Sequence, residues 1–206
     1  MNELLPVVIT TNGSQWAKNL LKILGWKLII PGLPGPRGII VAYPHTSNLD
    51  FFIGMIAKSA CGIPVNFLAK DSLFKIPVVG WWLRYLGGRP VIRNSPQGYV
   101  KDLAQEMAMA KFFWLAITPE GTRKKTPGWR SGFYHLALET NYPVGFVYLD
   151  YQNKTIGLAD FLTMTGNEEA DFAKIRDIYQ GKLGFYPKNM SPITLWSPQK
   201  GKNKVH

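Results

Sequence analysis

Short apolar segments recur along the chain, separated by turn residues and by longer stretches with helical spacing. Segments that are rich in β-branched and aromatic residues predict buried strands at 38–43, 65–69, 89–92, 112–117, 143–149 and 153–158. Between most of these strands, apolar residues recur every three or four positions, as at 100–107 and 172–179. The alternation predicts a single α/β domain, with a mixed, mostly parallel sheet flanked by helices.

The segment 14–25 has the pattern of an amphipathic helix. Ser14 can cap its start and Gly25 its end. Lysines lie opposite an apolar face that is formed by Trp16, Leu20, Ile23 and Leu24. Two interpretations stay open: this face packs on the core, or it enters a membrane interface while the lysines contact anionic headgroups. We take 1–37 as an N-terminal part containing this helix and 38–206 as the main domain.

The net charge of the chain indicates which kinds of partner it binds. Its 206 residues carry 24 Lys and Arg against 13 Asp and Glu, a net charge of +11. So basic a chain indicates an anionic partner, such as phosphate-bearing lipids, an acidic carrier protein, a nucleotide-like cofactor or nucleic acid. With 46% hydrophobic and 18% charged residues, the composition is otherwise that of a globular protein.

The sequence predicts a cytoplasmic protein that meets a membrane only at its surface. No run of eighteen residues is free of charge and apolar enough to span a bilayer, because Arg84 and Arg89 interrupt the nearest case. The first residues include Glu3 and do not resemble a secretory signal. The single cysteine, Cys61, excludes an internal disulfide and is consistent with a reducing compartment. The tryptophans Trp81 and Trp82 add a second apolar patch.

A histidine and an aspartate follow the first of these predicted strands. Pro44 breaks the strand, and the polar residues 46–48 can cap the helix that comes next. His45 then lies on a strand-to-helix turn, with Asp50 in the first helical turn. From there the carboxylate can reach the imidazole, fix its tautomer and stabilise the imidazolium.

A second polar cluster, 118–123, follows the apolar strand 112–117. Open α/β sheets bind their ligands beyond the carboxyl ends of strands, so two such clusters indicate a shared site. A plain surface turn would explain Pro119 and Gly121. It would not explain why Glu120 and Arg123 follow so apolar a strand.

These motifs together resemble the glycerolipid acyltransferases typified by 1-acylglycerol-3-phosphate acyltransferase. The first motif of that family, His-x4-Asp, is matched by His45 and Asp50, and its third, Pro-Glu-Gly-Thr-Arg, by 119–123. A second block is similar to 70–80 and its continuation to Arg93, and a fourth to 142–144. The four blocks keep their order across 38–149, which makes the resemblance specific.

The resemblance implies that His45 is the general base on the acceptor hydroxyl, which attacks an acyl thioester directly, while Asp50 orients the imidazole. A phosphate-bearing acceptor also needs cations and hydrogen-bond donors. The candidate substrate-binding residues are Lys70, Arg93, Glu120, Gly121, Thr122 and Arg123. Lys70 could equally be a solvated surface charge, an interpretation that the Pro-Glu-Gly-Thr-Arg motif makes weaker for Arg123.

Other kinds of catalytic site find little support in the sequence. Cys61 lies in an apolar setting that suits an inert thiol, and Ser47 lacks the Gly-x-Ser-x-Gly elbow. The histidines are not paired at metal-ligand spacing, and no glycine-rich nucleotide loop follows a strand. We therefore expect no metal and no cofactor, with acyl-coenzyme A or an acyl-carrier-protein thioester as co-substrate.

The sequence thus predicts a peripheral membrane O-acyltransferase of phospholipid biosynthesis, acting on a lysolipid and foremost on 1-acyl-sn-glycerol 3-phosphate. Its expected partners are the two substrates, an anionic lipid surface and an acidic acyl carrier protein. Another lysolipid or an amino-lipid is the alternative acceptor. A nucleic-acid-binding module is disfavoured, because the basic residues are dispersed and no nucleic-acid motif is present. The His45–Asp50 pair argues against an inactive membrane scaffold.

Overall fold

A computed structural model of the protein describes residues 13–91 and 96–196. Two sheets are formed within these residues. The strands are β1 (Lys27–Ile29), β2 (Arg37–Tyr43), β3 (Val65–Lys70), β4 (Gly88–Val91), β5 (Phe113–Ile117), β6 (Trp129–Arg130), β7 (Val144–Asp150), β8 (Thr155–Leu162) and β9 (Leu195–Trp196). The main sheet has the order β1-β8-β7-β2-β5-β3-β4, and β6 pairs with β9 in a separate ribbon.

Helices cover both faces of the main sheet. They are α1 (Gln15–Ile23), α2 (Leu49–Cys61), α3 (Asp71–Phe74), α4 (Pro77–Tyr85), α5 (Pro96–Met109), α6 (Gly132–Thr140) and α7 (Glu168–Ile178), and a 3-10 turn follows at Pro187–Asn189. No helix among the described residues is long and apolar enough to cross a membrane.

The sheet is mixed and mostly parallel, as the sequence predicts. Its pairs are parallel except β7 with β8, which run antiparallel. Ile39 of β2 lies between Leu115 of β5 and Val144 of β7. The carboxyl ends of β2, β3, β5 and β7 consequently meet at one edge of the sheet.

Alternate residues of each strand serve two separate cores. Ile39, Val41 and Tyr43 point to the face that packs against α5, α6 and α7. Ile40 points to the opposite face, where the sheet packs against α1, α2, α3 and α4. Because both faces are covered, the central strands are apolar along their whole length rather than alternating in polarity.

The six strands predicted from sequence are all present, with ends shifted by up to four residues. The pattern missed β1, β6 and β9, which are only two or three residues long. It also missed α4, since Pro77 and Gly80 interrupt its apolar run. Pro77 occupies the start of α4, where a helix has no need of that N–H.

The N-terminal helix packs on the core through residues that border the predicted apolar face, while most of that face is exposed. Ala17 and Leu21 are buried against α2, whereas Trp16 and Ile23 are 69% and 80% exposed. The side chain of Ser14 caps the helix by accepting from the N–H of Ala17. The division of the chain at residue 37 stays a prediction, and β1, which precedes it, is the edge strand of the main sheet.

Candidate functional site

The two polar motifs come together at the carboxyl edge of the sheet. His45 follows β2, and residues 118–123 follow β5, the strand beside it. Lys70 ends β3, and Tyr151 follows β7. Parallel pairing of these strands therefore brings residues that are up to a hundred positions apart to one edge.

His45 and Asp50 form a hydrogen-bonded pair. The Nδ1 atom of His45 lies 3.2 Å from Oδ2 of Asp50. The same oxygen accepts hydrogen bonds from the N–H groups of Thr46 and Ser47, each at 2.8 Å. Thr46 and Ser47 precede the N-cap of α2, so this carboxylate in the first turn of the helix holds the backbone of the turn that leads into it. With Nδ1 donating to Asp50, Nε2 of His45 remains as the acceptor.

The phenol of Tyr151 completes the surroundings of Asp50. It donates to Asp50 Oδ1 at 2.6 Å, and its ring contacts those of Trp26 and Phe185 edge to face. Burial alone would raise the pKa of Asp50, but hydrogen bonds from His45, Tyr151 and Ser47 outweigh it and hold that pKa below its ordinary value. Burial and the adjacent carboxylate raise the pKa of Tyr151. Asp50 is thus kept ionised beside the imidazole.

Glu120 joins the two motifs from below the surface. Its side chain is 1% exposed, with Oε2 accepting from the N–H of His45 at 2.7 Å and Oε1 from the N–H of Ser191 at 3.1 Å. Burial raises its pKa, although these donors act in the opposite direction. The sequence predicts Glu120 as a substrate-binding residue; in the structure its buried carboxylate binds the backbone of the turn that carries His45.

After the buried Pro119 and Glu120, the Pro-Glu-Gly-Thr-Arg turn reaches the surface, where Gly121 and Arg123 are exposed and Thr122 is half-buried. Gly121 has φ of 65°, a conformation that favours glycine, and its N–H donates to Thr118 at 3.1 Å. That N–H, which we expected to face a phosphate, is already used in the turn. The hydroxyl oxygen of Thr122 accepts from the N–H of Lys124 at 3.3 Å. Arg123 is exposed and forms no ion pair with any described residue.

Lys70 and Arg93 are the other cations that the sequence predicts at the site. Lys70 is exposed and lines the same groove as His45 and Arg123. Arg93 lies outside the described residues. Arg130, which sequence analysis did not select, lies beside Gly121 with its guanidinium 5.2 Å from the centre of the Trp196 ring.

An apolar groove extends from the His45–Asp50 pair between α2 and the sheet. Its walls include Ala42, Phe51, Met55, Ala116 and Val147. Its far end is near Cys61, whose position at the last residue of α2 is about 18 Å from the first by helical rise. Burial raises the pKa of the Cys61 thiol to about 11, which makes it a poor nucleophile.

The C-terminal segment supports the site from one side. The N–H of Tyr186 donates to the Thr46 hydroxyl at 3.0 Å, and the Tyr43 hydroxyl donates to the carbonyl of Ser191 at 3.0 Å. Sequence analysis missed these contacts and that of Tyr151. The one available signal for Tyr151 was its place directly after a predicted strand.

Comparison with known proteins is consistent with this geometry. Residues 31–149 match the family model described as Acyltransferase, which is more than half of the chain and contains both motifs. The chain belongs to the Acyltransferase family. Within the described residues, no group of three His, Cys, Asp or Glu side chains is placed to hold a metal ion.

Two named relatives are plant proteins. The chain is 31% identical over 127 residues to 1-acyl-sn-glycerol-3-phosphate acyltransferase BAT2, chloroplastic, of Brassica napus, across 58% of this chain and 36% of that protein. It is 28% identical over 127 residues to 1-acyl-sn-glycerol-3-phosphate acyltransferase LPAT1, chloroplastic, of Arabidopsis thaliana, across 58% and 35%. The chain thus matches about a third of the length of these relatives.

The fold is also that of a solved structure. The 1-acyl-sn-glycerophosphate (LPA) acyltransferase PlsC from Thermotoga maritima superposes with a TM-score of 0.50 at 22% identity, over 79% of this chain and 73% of PlsC. At this identity the likeness concerns the fold.

Removal of the Tyr151 hydroxyl should raise the pKa of Asp50. The folded pKa of Asp50 is depressed, so the stability that it contributes is present above the unfolded value and is lost as pH falls through the folded value. We expect Tyr151→Phe to lower the free energy of unfolding by about 1.5–3 kcal/mol at pH 7, and by progressively less as the pH falls below about 4 and through the folded pKa of Asp50. Denaturant titrations at pH 7 and at a series of lower pH values measure this difference.

Tyr142→Phe is the matched control, because Tyr142 is half-buried and its hydroxyl donates to no described residue. An equal loss of stability at all these pH values in Tyr151→Phe would show that the hydroxyl does not act through the ionised carboxylate of Asp50, because the ring that contacts Trp26 and Phe185 is retained.

Proposed function

We propose that this protein transfers a fatty acyl group from a thioester to the hydroxyl of a lysolipid, with 1-acyl-sn-glycerol 3-phosphate as the acceptor. The observation that carries the proposal is the His45–Asp50 pair at 3.2 Å, placed where an apolar groove opens at the carboxyl edge of the sheet. The names of the two plant relatives support this acceptor.

The geometry suits direct transfer. Nε2 of His45 takes the proton of the acceptor hydroxyl while the hydroxyl oxygen attacks the carbonyl carbon of the thioester. The resulting imidazolium is stabilised by the buried carboxylate of Asp50. When the tetrahedral intermediate collapses, the carbon–sulfur bond breaks and the thiolate leaves with the proton from His45. The acyl ester and a free thiol are the products.

The groove is the place for the acyl chain. It is apolar along the space between α2 and the sheet, so a hydrocarbon chain that enters it leaves water at a gain of about 0.8 kcal/mol per CH₂. The thioester carbonyl would then lie at the open end beside His45. Coenzyme A and an acyl carrier protein both present such a thioester, and the basic charge of the chain suits either donor.

The acceptor phosphate would be bound by the exposed cations at the groove mouth. Arg123 and Lys70 both line it, and Arg123 forms no ion pair among the described residues that would compete. We extend the same role to Arg93 from sequence. Thr122 remains a candidate contact beside Arg123. The buried Glu120 is a positioning residue, since it fixes the backbone of His45.

The protein would act at the surface of the cytoplasmic membrane. Trp16, Ile23 and Leu24 of the N-terminal helix and its cap are exposed, on a side away from Lys18 and Lys22. Such a side suits the boundary between headgroups and acyl chains. The net charge of +11 adds attraction to anionic lipid.

Loss of the general base should abolish most activity while leaving the fold intact. We expect His45→Ala and Asp50→Asn to lower kcat by about 10²–10⁴-fold. The effect is measured as the rate of acyl transfer from a thioester to 1-acylglycerol 3-phosphate, with release of the free thiol as the signal. His135→Ala is the matched histidine control, because His135 is exposed on α6. Wild-type turnover in folded His45→Ala would refute the assignment.

Arg123→Ala should impair use of the acceptor more than use of the donor. A lost contact between guanidinium and phosphate should raise the acceptor KM by about tenfold or more. Kinetics with both substrates varied separate the two effects, with the neighbouring exposed Lys125→Ala as control. An increase confined to the donor KM would place Arg123 on the thioester side.

Membrane binding through α1 should be reversible and sensitive to salt. We expect the protein to co-sediment with anionic vesicles, and the triple variant Trp16→Ser, Ile23→Ser and Leu24→Ser to bind about tenfold less. Met109→Ser, which changes an exposed apolar residue on the opposite side of the sheet, is the control. Unchanged sedimentation of the folded triple variant would contradict a membrane role for α1.

A further inference from the structure

The outward side of α4 is an exposed apolar surface. Val78, Trp81 and Tyr85 are 77%, 66% and 77% exposed, and Ile76 precedes them at the start of the helix with about half of its surface in water. We call these four residues the α4 surface. The Trp81 and Tyr85 rings stack at 5.8 Å and 14°, so they present one broad face. Exposed patches of this kind on soluble domains mark contact sites.

The inward side of α4 shows that this exposure is not loose packing. Leu83 is buried in a cluster with Phe67 and Phe74. A Cβ at Gly80 would lie 2.3 Å from the carbonyl oxygen of Phe74, so α4 approaches α3 as closely as its backbone allows. The helix is therefore fixed with one side in the core and the α4 surface outward.

The composition of the α4 surface fits a lipid interface. Tryptophan and tyrosine concentrate where headgroups meet acyl chains, because their rings are apolar at one end and polar at the other. The flanking cations Lys75 and Arg84 are exposed; Lys75 is paired with Asp71 at 2.9 Å, whereas Arg84 forms no ion pair with any described residue. An anionic leaflet complements this arrangement of charge.

The α4 surface is also continuous with the opening of the apolar groove. Trp82 and Leu73, its neighbours in sequence, line the groove together with Phe52 of α2. The Trp82 and Phe51 rings contact each other at 6.0 Å. A lipid that reaches this opening from a bilayer would pass along the α4 surface.

We infer that the α4 surface inserts into the interfacial region of an anionic bilayer and places the opening of the groove against the leaflet. This inference rests on the proposed function for the identity of the substrate, but not for the binding itself. It adds a second contact to that of α1, on the same face of the sheet. A protein partner is less well matched, because an acidic carrier would need more cations than this surface offers.

The test uses the full chain and vesicles of phosphatidylcholine with about one-third phosphatidylglycerol. The variant is Val78→Ser with Trp81→Ser and Tyr85→Ser, none of which lines the groove. We expect at least about tenfold weaker binding, and wild-type binding for Trp81→Phe and for the control Met109→Ser. Circular dichroism checks that each variant folds.

Kinetics separate this inference from the proposed function. With a short-chain acceptor and thioester that stay monomeric in water, the triple variant should keep wild-type turnover, whereas with vesicle-borne acceptor it should lose about tenfold. Absence of acyl transfer in the wild type would refute the function and leave the vesicle result standing.

Two results would overturn the inference. One is wild-type vesicle binding by the folded triple variant. The other is a wild-type dimer that the variant converts to monomer with vesicle binding unchanged, which would assign the α4 surface to contact between copies of the chain.

Discussion

The site depends on the hydrogen bonds that converge on the carboxylate of Asp50. Four donors reach it: the imidazole of His45, the amides of Thr46 and Ser47, and the hydroxyl of Tyr151. Without them, the buried charge would be unfavourable by several kcal/mol. Their presence fixes the start of α2, the orientation of the imidazole and the end of β7 together. The same hydrogen bonds therefore shape the local fold and the geometry of the proposed catalytic pair.

Glu120 provides a comparable constraint on the other motif. Because its two oxygens accept from the amides of His45 and Ser191, it ties the end of β5 to the turn after β2 and to the C-terminal segment. The Pro-Glu-Gly-Thr-Arg motif thus has a buried part and an exposed part. The glutamate supports the turn that carries His45 from inside, while Arg123 is exposed and open to the phosphate of the proposed acceptor.

Local pattern was enough to predict the six longer strands and the two motifs, because a strand buried on both faces needs a continuous apolar run and a site at its end needs polar residues. Tyr151 could not be found in this way. It meets Asp50 across 101 positions, and only the order of the strands brings the two together. The apolar stripe of α1 was visible, but which part of it faces α2 depends on tertiary packing. The helical pattern of α4 was not recognised because Pro77 and Gly80 interrupt it. Both have a structural role, since Pro77 starts the helix and Gly80 allows its close approach to α3.

The two faces of the main sheet differ in how completely their helices cover apolar side chains. The face under α5, α6 and α7 holds a large core that includes Phe133, Phe146 and Phe172. The other face is divided into smaller clusters with a groove between them, and its helices α1 and α4 keep large apolar side chains in water. Exposure of this kind is unfavourable for a protein surrounded only by water. On the proposed function this exposure becomes favourable, because a groove that takes up an acyl chain would open toward a bilayer, and the same apolar surface would exclude water from the route into the site.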